Sequence, residues 1–477
     1  MDVPASRRAF GRRLIGDRRA FLKTATAGSL FAAASPARLL AGPSRPPNIV
    51  LILCDDLGYG DIRCHGSSIA TPNLDQMANE GARFSHFYAG GPTCSPSRAS
   101  LMTGRYPVRT GIPRVLDPDE AVGLPKSETT IAQMLKPAGY NTMAIGKWHL
   151  GTPAEFLPTN RGFDEYYGVP NSIDMAPRPL MHNLDVIEQP ANLASLTERY
   201  TQQAINFIDR AQSQPFFLFL AHSFPHIPYV ASAPFAGGSG EGSYGDTIQE
   251  IDASVGRVIQ ALQRNGIDQN TLVMFTSDHG PWYQGSTGGL RGRKGEIWEG
   301  GMRVPFLARY PALIPPNQVV NGLASNLDVL PTVASLAGAT LPVNPLDGYD
   351  ITDMMTGAQK QIHREPFLFF NDICLQAARQ GPWKLHVSRF NTLPFTPEPV
   401  GGRMNLPLPG PELYNVVTDA DESHDRSGRN PAIVADLKAS MARLIQTFPD
   451  VSLGDWNATL TKQVCSTAVG ALPILAK

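Results

Sequence analysis

The segment Gly91-Pro92-Thr93-Cys94-Ser95-Pro96-Ser97-Arg98 sets a thiol, hydroxyls and a guanidinium within about one turn of a helix. Ser95 reads as the cap of that helix and Pro96 as its first residue, where a missing N–H costs nothing. Cys94 then lies at the positive end, where developing negative charge is stabilised, and Arg98, one turn on, adds a cation on the same side. By itself such a cysteine is either a thiolate nucleophile or a buried structural thiol, and the latter is the commoner fate. Asp55-Asp56 and Asp278-His279 read as a metal site: adjacent carboxylates such as Asp55 and Asp56 repel when buried and call for a cation nearby. Oxygen donors of this kind suit calcium or magnesium. One Asp-Asp pair alone would be read as a turn cap beside a solvated neighbour; two acidic segments together favour a metal.

These residues need elements that bring them together. The apolar runs Asn48 to Cys54, Tyr140 to Gly146, Phe216 to Ala221 and Leu272 to Ser277 read as buried strands. Between the last two, Ile248, Ile251, Val255, Val258, Ile259 and Leu262 recur at helical spacing, closed by Asn265-Gly266. Alternation of strand and helix predicts an α/β fold with a large, mostly parallel sheet flanked by helices. In such sheets the site lies beyond the carboxyl ends of the strands. Asp55 and Asp56 follow the first run; Lys147 and His149 follow the second. His222 and His226 follow the third, and Asp278 and His279 the fourth. Beyond about His363 the pattern turns to short strand-like pieces and then a helix from Pro431 to Phe448. The chain therefore divides into a catalytic part at 46–363, a smaller C-terminal part at 364–455 and a featureless tail at 456–477.

The bulk numbers narrow the classes. The 477 residues are 42% hydrophobic and 17% charged, with a formal net charge of −1. That is ordinary globular composition, and the missing basic excess argues against nucleic-acid binding. Five cysteines (Cys54, Cys64, Cys94, Cys374 and Cys465) are too few and irregular for a disulfide framework or a zinc ribbon, although one pair stays open. Near the start, Arg18-Arg19-Ala20-Phe21-Leu22-Lys23 precedes an Ala-rich stretch from Thr24 to Ala34. This resembles a bacterial twin-arginine export signal, with Asp17 where Ser or Thr is more usual. Residues 1–41 are thus expected to engage the twin-arginine machinery and send the chain to the periplasm or beyond. The apolar stretch is too short to span a bilayer, so no stable membrane anchor is expected.

Five ordered blocks make a more specific statement. Cys94-Ser95-Pro96-Ser97-Arg98 with Leu101-Met102-Thr103-Gly104-Arg105 is similar to the signature of the formylglycine-dependent sulfatases. Gly139 to His149, ending Gly146-Lys147-Trp148-His149, resembles that family's second signature. Pro225-His226-Ile227-Pro228, Ser277-Asp278-His279-Gly280 and Lys294-Gly295-Glu296-Ile297-Trp298-Glu299-Gly300-Gly301 resemble further blocks, in the family's order. The pattern is nearest to the arylsulfatase A-like branch. The resemblance implies an alkaline-phosphatase-like sandwich with a small C-terminal α+β domain built on an antiparallel sheet. It also implies a sulfuric ester hydrolase acting on aryl or carbohydrate sulfates. Cys94 would be oxidised to formylglycine by a maturation enzyme and hydrated to a geminal diol. One hydroxyl attacks sulfur and the alcohol leaves; the second, once deprotonated, expels sulfate and restores the aldehyde. An ordinary Ser or Cys lacks that exit.

By motif, Asp55, Asp56, Asp278, His279 and residue 94 would hold one divalent metal, calcium in first place and magnesium in second. His279 stands where many members have Asn, and a neutral imidazole also binds divalent cations. Arg98 would orient the diol; Lys147, Lys294 and His226 would hold sulfate oxygens; His149 would assist at the nucleophile. Lys294 or His226 would protonate the leaving group, and Ser172 resembles a site serine of the same branch. His222 is read as packing, and His65 and His86 as structural or exposed. Trp148, Trp282 and Trp298 either line the leaving-group pocket or pack in the core. Two other readings compete: a phosphatase or phosphodiesterase of the same fold, and a non-catalytic binder of sulfoconjugates. The first conflicts with Cys94 and with the shortage of ligands for a second metal. The second conflicts with a constellation in which every position is filled.

Overall fold

The computed structural model describes residues 45–462 apart from 212–213, 394–395, 398 and 400–401; the segment read as an export signal lies outside them. Strand β1 (Asn48–Cys54) is an unbroken apolar run after its first residue and is buried throughout. Its side chains alternate between two hydrophobic clusters. Ile49, Leu51 and Leu53 join Phe217 and Phe219 on one face, while Val50 and Ile52 join Leu218 and Leu220 on the other. A strand buried on both faces is what a central position in a covered parallel sheet requires.

The other strands of this sheet are β2 (Ala82–Tyr88), β3 (Asn141–Gly146), β4 (Glu165–Gly168), β5 (Leu180–His182), β6 (Asp185–Glu188), β7 (Phe216–Ala221), β8 (Thr271–Ser277), β9 (Arg303–Arg309), β10 (Gln318–Val320) and β11 (Ala324–Ser325). Their order is β10-β2-β9-β8-β1-β7-β3-β4-β5-β6, with β11 beside β2. The centre, β8-β1-β7-β3, is parallel; β9 runs antiparallel to both β2 and β8, and the β4-β5-β6 edge is antiparallel. The helix Gly242–Arg264 carries the chain from β7 to β8 and buries Ile248, Ile251, Val255, Val258 and Leu262 against the sheet.

Register decides where the site can form. Cys54 pairs with Ser277, Leu53 with Ala221, and Gly146 with Ala221. The four central strands therefore stop at nearly one level, and Asp55, Asp278, His222 and Lys147 emerge side by side. Gly146 is obligatory there: its φ is +95°, and a Cβ would sit 1.8 Å from the Ala221 carbonyl oxygen.

A second, antiparallel sheet has the order β12 (Phe367–Asn371), β13 (Cys374–Gln380), β14 (Trp383–Phe390) and β15 (Asn405–Asn415). It shares a hydrophobic cluster with the first part of the chain, in which Tyr88, Tyr106, Ile297 and Met302 meet Phe367, Phe369, Leu385 and Leu413. Everything described here belongs to one compact unit.

Three expectations are corrected. The helix Asp450–Leu460 crosses the boundary drawn at 456, and Trp456 is buried in the second sheet's core, so the chain is not featureless there. A lone Trp in a polar stretch carries no period by which to see this. The helix after Thr93 begins at Cys94 itself; no side chain caps it, and Ser95 Oγ instead accepts from the Leu116 N–H at 3.1 Å. The open question of a cysteine pair closes for Cys54, Cys64 and Cys94, which are free thiols; Cys465 lies outside the described residues. Among the described residues no helix is long and apolar enough to cross a membrane.

Candidate active site

The helix Cys94–Thr103 lies wholly inside the molecule and aims its first residue at the strand ends. Cys94 Sγ lies 3.7 Å from Asp55 Oδ1 and 3.3 Å from His279 Nε2. Donor atoms of Asp55, Cys94, Asp278 and His279 fall within 4.8 Å of one another, as do those of Asp55, Asp56, Cys94 and His226. Asp56 reaches this point with φ at 68°, and His149 with φ at 61°, left-handed backbone that non-glycine residues adopt at a cost. His279 Nδ1 faces the Gly280 carbonyl at 2.9 Å, so that nitrogen carries the proton and Nε2 is turned toward Asp56 and Asp278, 3.5 and 3.6 Å away. A backbone acceptor on the far nitrogen is how ligating imidazoles are oriented.

Cations surround these donors. Arg98 donates through Nε and Nη2 to Asp278 Oδ2 at 3.1 and 3.0 Å, and through Nη1 to the Lys147 carbonyl at 2.9 Å. Lys147 Nζ donates to Asp55 Oδ2 at 2.6 Å and to Ser172 Oγ at 3.1 Å. Lys294 Nζ meets both oxygens of Asp56, at 2.8 and 3.0 Å. His226 Nε2 lies 3.4 Å from Ser172 Oγ and 3.8 Å from Asp56 Oδ2. Every residue singled out in the sequence for chemistry thus sits at this rim.

The titration shifts follow the way charge is shared along the rim. Burial raises the Asp278 carboxyl to about 6; His279 and Arg98 pull it down, while Asp55 and Cys94 push it up. Burial would lower His279, yet the charges of Asp278, Cys94 and Asp56 lift it to about 9. For Cys94, burial alone would raise the thiol, but Lys147 and Lys294 bring it down to about 6. Negative charge is thus crowded around Asp278 and His279, whereas Lys147 and Lys294 hold the Asp55 and Asp56 carboxyls below their usual range against burial. Three carboxylates and an imidazole, buried and converging, fit a hard divalent cation. A second feature leaves an unpartnered acceptor among the pocket residues. His149 is fully buried, Nε2 faces the Leu116 carbonyl at 3.0 Å, and Nδ1 has no hydrogen-bond partner. Burial, with Lys147 and Arg98 nearby, holds His149 well below its usual pKa, so Nδ1 is an open acceptor.

A pocket of about 110 Å³ opens onto this rim, lined by the buried Asp56, Cys94, His149, Ser172, His226 and Lys294 and by the more exposed Val115, Asp174, Met175, Ile227 and Trp282. Trp282 is therefore a pocket residue. Trp148 is not: it packs edge-on to Phe163 and donates to the Phe156 carbonyl. Trp298 stacks near His386 at 4.5 Å, at the seam with the second sheet. His222 is buried near Ser254 and driven down to about 3 by burial. His65 and His86 lie apart, one against Tyr59 and the other beside Ser85. Sequence reasoning missed Val115 and Leu116, which sit in a loop without periodicity or motif.

Residues 47–339 match the sulfatase family. The chain belongs to that family. It is 43% identical over 381 residues to arylsulfatase A of Homo sapiens, covering 72% of this chain and 75% of that one. To N-acetylgalactosamine-6-sulfatase of Canis lupus familiaris it is 39% identical over 420 residues, covering 81% and 79%. The crystal structure of Ps i-CgsB in complex with k-i-k-neocarrahexaose superposes with a TM-score of 0.73 at 30% identity, over 87% of this chain and 98% of that one. This sulfatase is a sulfuric ester hydrolase, and the fold derived above is the alkaline-phosphatase-like one. The family works with a divalent metal and a formylglycine made from cysteine.

Proposed function

We propose that this sulfatase hydrolyses aryl or carbohydrate sulfate esters at residue 94, oxidised to formylglycine, over a single calcium ion. The observation that carries the reading is the convergence of Asp55, Asp56, Asp278 and His279 on Cys94 at the floor of one pocket. Calcium supplies charge that favours the ionised hydroxyl on residue 94 and offsets repulsion between nucleophile and sulfate. Magnesium is the second choice, because its smaller shell tolerates irregular donors less well. Arg98, fixed by Asp278 and the Lys147 carbonyl, orients residue 94. His149 Nδ1 accepts the proton of a hydroxyl there. Lys147, Lys294, His226 and Ser172 take the sulfate oxygens, and such preplaced donors are worth several kcal/mol of barrier. Lys294 or His226, both lining the pocket, gives the departing alcohol its proton.

Three further readings complete the proposal. The twin-arginine segment sends the folded enzyme to the periplasm or outside the cell. A maturation enzyme oxidises Cys94 before export. Both aryl and saccharide esters are named because the relatives carry both kinds of name. The test is mass spectrometry of the peptide containing residue 94, joined to turnover of an aryl sulfate and of sulfated mono- and oligosaccharides before and after chelation. An aldehyde mass and calcium-restored turnover are expected. Unmodified cysteine in active enzyme would overturn the nucleophile; full activity after exhaustive chelation would overturn the metal.

A further inference from the structure

The less buried part of the pocket lining is apolar at Val115, Met175, Ile227 and Trp282, with one exception, Asp174. Its carboxylate accepts no hydrogen bond among the described residues, and its side chain keeps 38% of its surface exposed. The nearest basic side chain is His226, whose Nδ1 lies 4.0 Å from Asp174 Oδ1 but faces the Ile227 carbonyl at 2.7 Å. Arg178, four residues on, spends its Nη1 on the Ile173 carbonyl at 2.9 Å. Lys294, across the pocket, is paired with Asp56, and Arg293 donates to the Trp282 and Gly285 carbonyls. The loop is held by other bonds, Met175 N–H to the Ser172 carbonyl and Ala191 N–H to the Arg178 carbonyl. Asp174 therefore brings a carboxylate with open acceptor oxygens to the less buried part of the pocket.

We propose that Asp174 selects the leaving group by charge. Resting on the sulfatase reading, the enzyme prefers sulfate monoesters of neutral or cationic alcohols that carry a hydroxyl or ammonium donor near the ester. It disfavours esters bearing a carboxylate or a second sulfate there. Apolar side chains accept the face of an aryl or sugar ring, while the carboxylate takes its edge donor and repels an anion. A partly exposed charge acts through a high effective dielectric, so discrimination of about tenfold per unit of substrate charge is expected, weakening as salt screens it.

The experiment uses the full-length enzyme made beside a maturation enzyme. Three phenyl sulfates differ only in a ring methyl, carboxylate or aminomethyl group. Each kcat/KM is taken as a ratio to that of Asp174→Asn, so that leaving-group reactivity cancels. The ratio should rise about tenfold from methyl to aminomethyl and fall about tenfold from methyl to carboxylate. It should flatten when ionic strength is raised to about 0.5 M. Equal ratios for all three substrates would overturn the role of Asp174 while leaving the hydrolase intact. Absence of turnover with every ester would instead sink the sulfatase reading on which it rests.

Discussion

Two clusters of buried charge lie in this molecule, and they differ in how like charges are arranged. At the rim of the large sheet, Asp55, Asp56 and Asp278 turn toward one point, with Cys94 and His279 among them. At the seam with the second sheet, opposite charges alternate. Glu299 accepts from Tyr88 Oη at 2.6 Å, Arg303 Nε at 2.9 Å and Lys384 Nζ at 3.1 Å. Lys384 also lies 3.2 Å from Glu422, which takes the Glu299 N–H at 2.7 Å and faces His386 Nε2 at 2.7 Å. Both clusters are almost fully buried, so burial of charge does not distinguish a reaction centre. Convergence of several ligand-type side chains beside an open pocket does. The seam has a different task. Lys384 donates to the Ile297 carbonyl at 2.7 Å and Asn371 to the Gly295 carbonyl at 2.9 Å, so the second sheet grips the segment that presents Lys294.

The strongest way to break the comparison is Cys94→Ala. At the rim this removes chemistry and almost no packing: turnover should fall by roughly 10⁴-fold or more, with the thermal midpoint nearly unchanged. A comparable loss of stability would mean that the rim, too, is structural. The reciprocal change is Lys384→Met, which keeps the stem and deletes the charge between Glu299 and Glu422. Breaking one partner of a buried network costs about 3–5 kcal/mol, read from urea unfolding. A change near zero would show that Arg303 and Arg379 suffice.

The seam also has a pH signature. Burial would raise the Glu299 carboxyl, but Lys384, Arg303 and Arg379 hold it well below the usual glutamate value of 4.5. A carboxyl whose folded pKa is depressed contributes stability above its unfolded pKa and loses it as pH falls through the folded one. The stability gap between the native chain and Glu299→Gln should therefore be widest near neutrality and narrow below about pH 4.5. A gap constant down to about pH 3 would remove ionised Glu299 from the seam. Lys294→Ala comes next, with kcat lowered by roughly 10²- to 10³-fold, the usual effect of losing one preplaced donor. Stopped assays at saturating ester measure it, and an effect confined to KM would make Lys294 a binding group alone.

Much of the rim was legible because its signals are local. Each of β1, β3, β7 and β8 is a short apolar run, and the residue following each run is titratable. Parallel pairing in near-perfect register then does the rest, since strands that stop together must present their next residues together. The seam was not legible. Tyr88, Arg303, Lys384, His386 and Glu422 are scattered over more than three hundred positions, and only the fold brings them together. Glu299 was visible as part of a block, without a sign that its partners lie in the second sheet. The cap was misread for a related reason: Ser95 has the composition of a cap, but Leu116 claims its hydroxyl oxygen. Val115 entered the pocket by the same loop, which no periodicity announces.

The finest test lies where the two clusters meet. Asn371 is 4% exposed at the end of β12, and its Nδ2 donates to the carbonyl of Gly295, the residue after Lys294. Gly295 has φ at 84°, so this backbone turns sharply just where the lysine must be aimed, and its N–H is already held by the Pro92 carbonyl at 2.8 Å. Asn371→Ala frees the carbonyl side of that turn and also removes the acceptor of Arg403 Nη2 at 3.3 Å, a guanidinium that keeps Asp372. One neutral hydrogen bond is worth about 1 kcal/mol, so stability should drop by that order. If the second sheet aims Lys294, kcat should fall further than this, by about tenfold, because small misplacement of a donor is costly in rate. The two losses separate the roles. A drop in stability with kcat unchanged would leave the seam a support for the fold and give the aiming of Lys294 to contacts outside the second sheet, Asp56 among them.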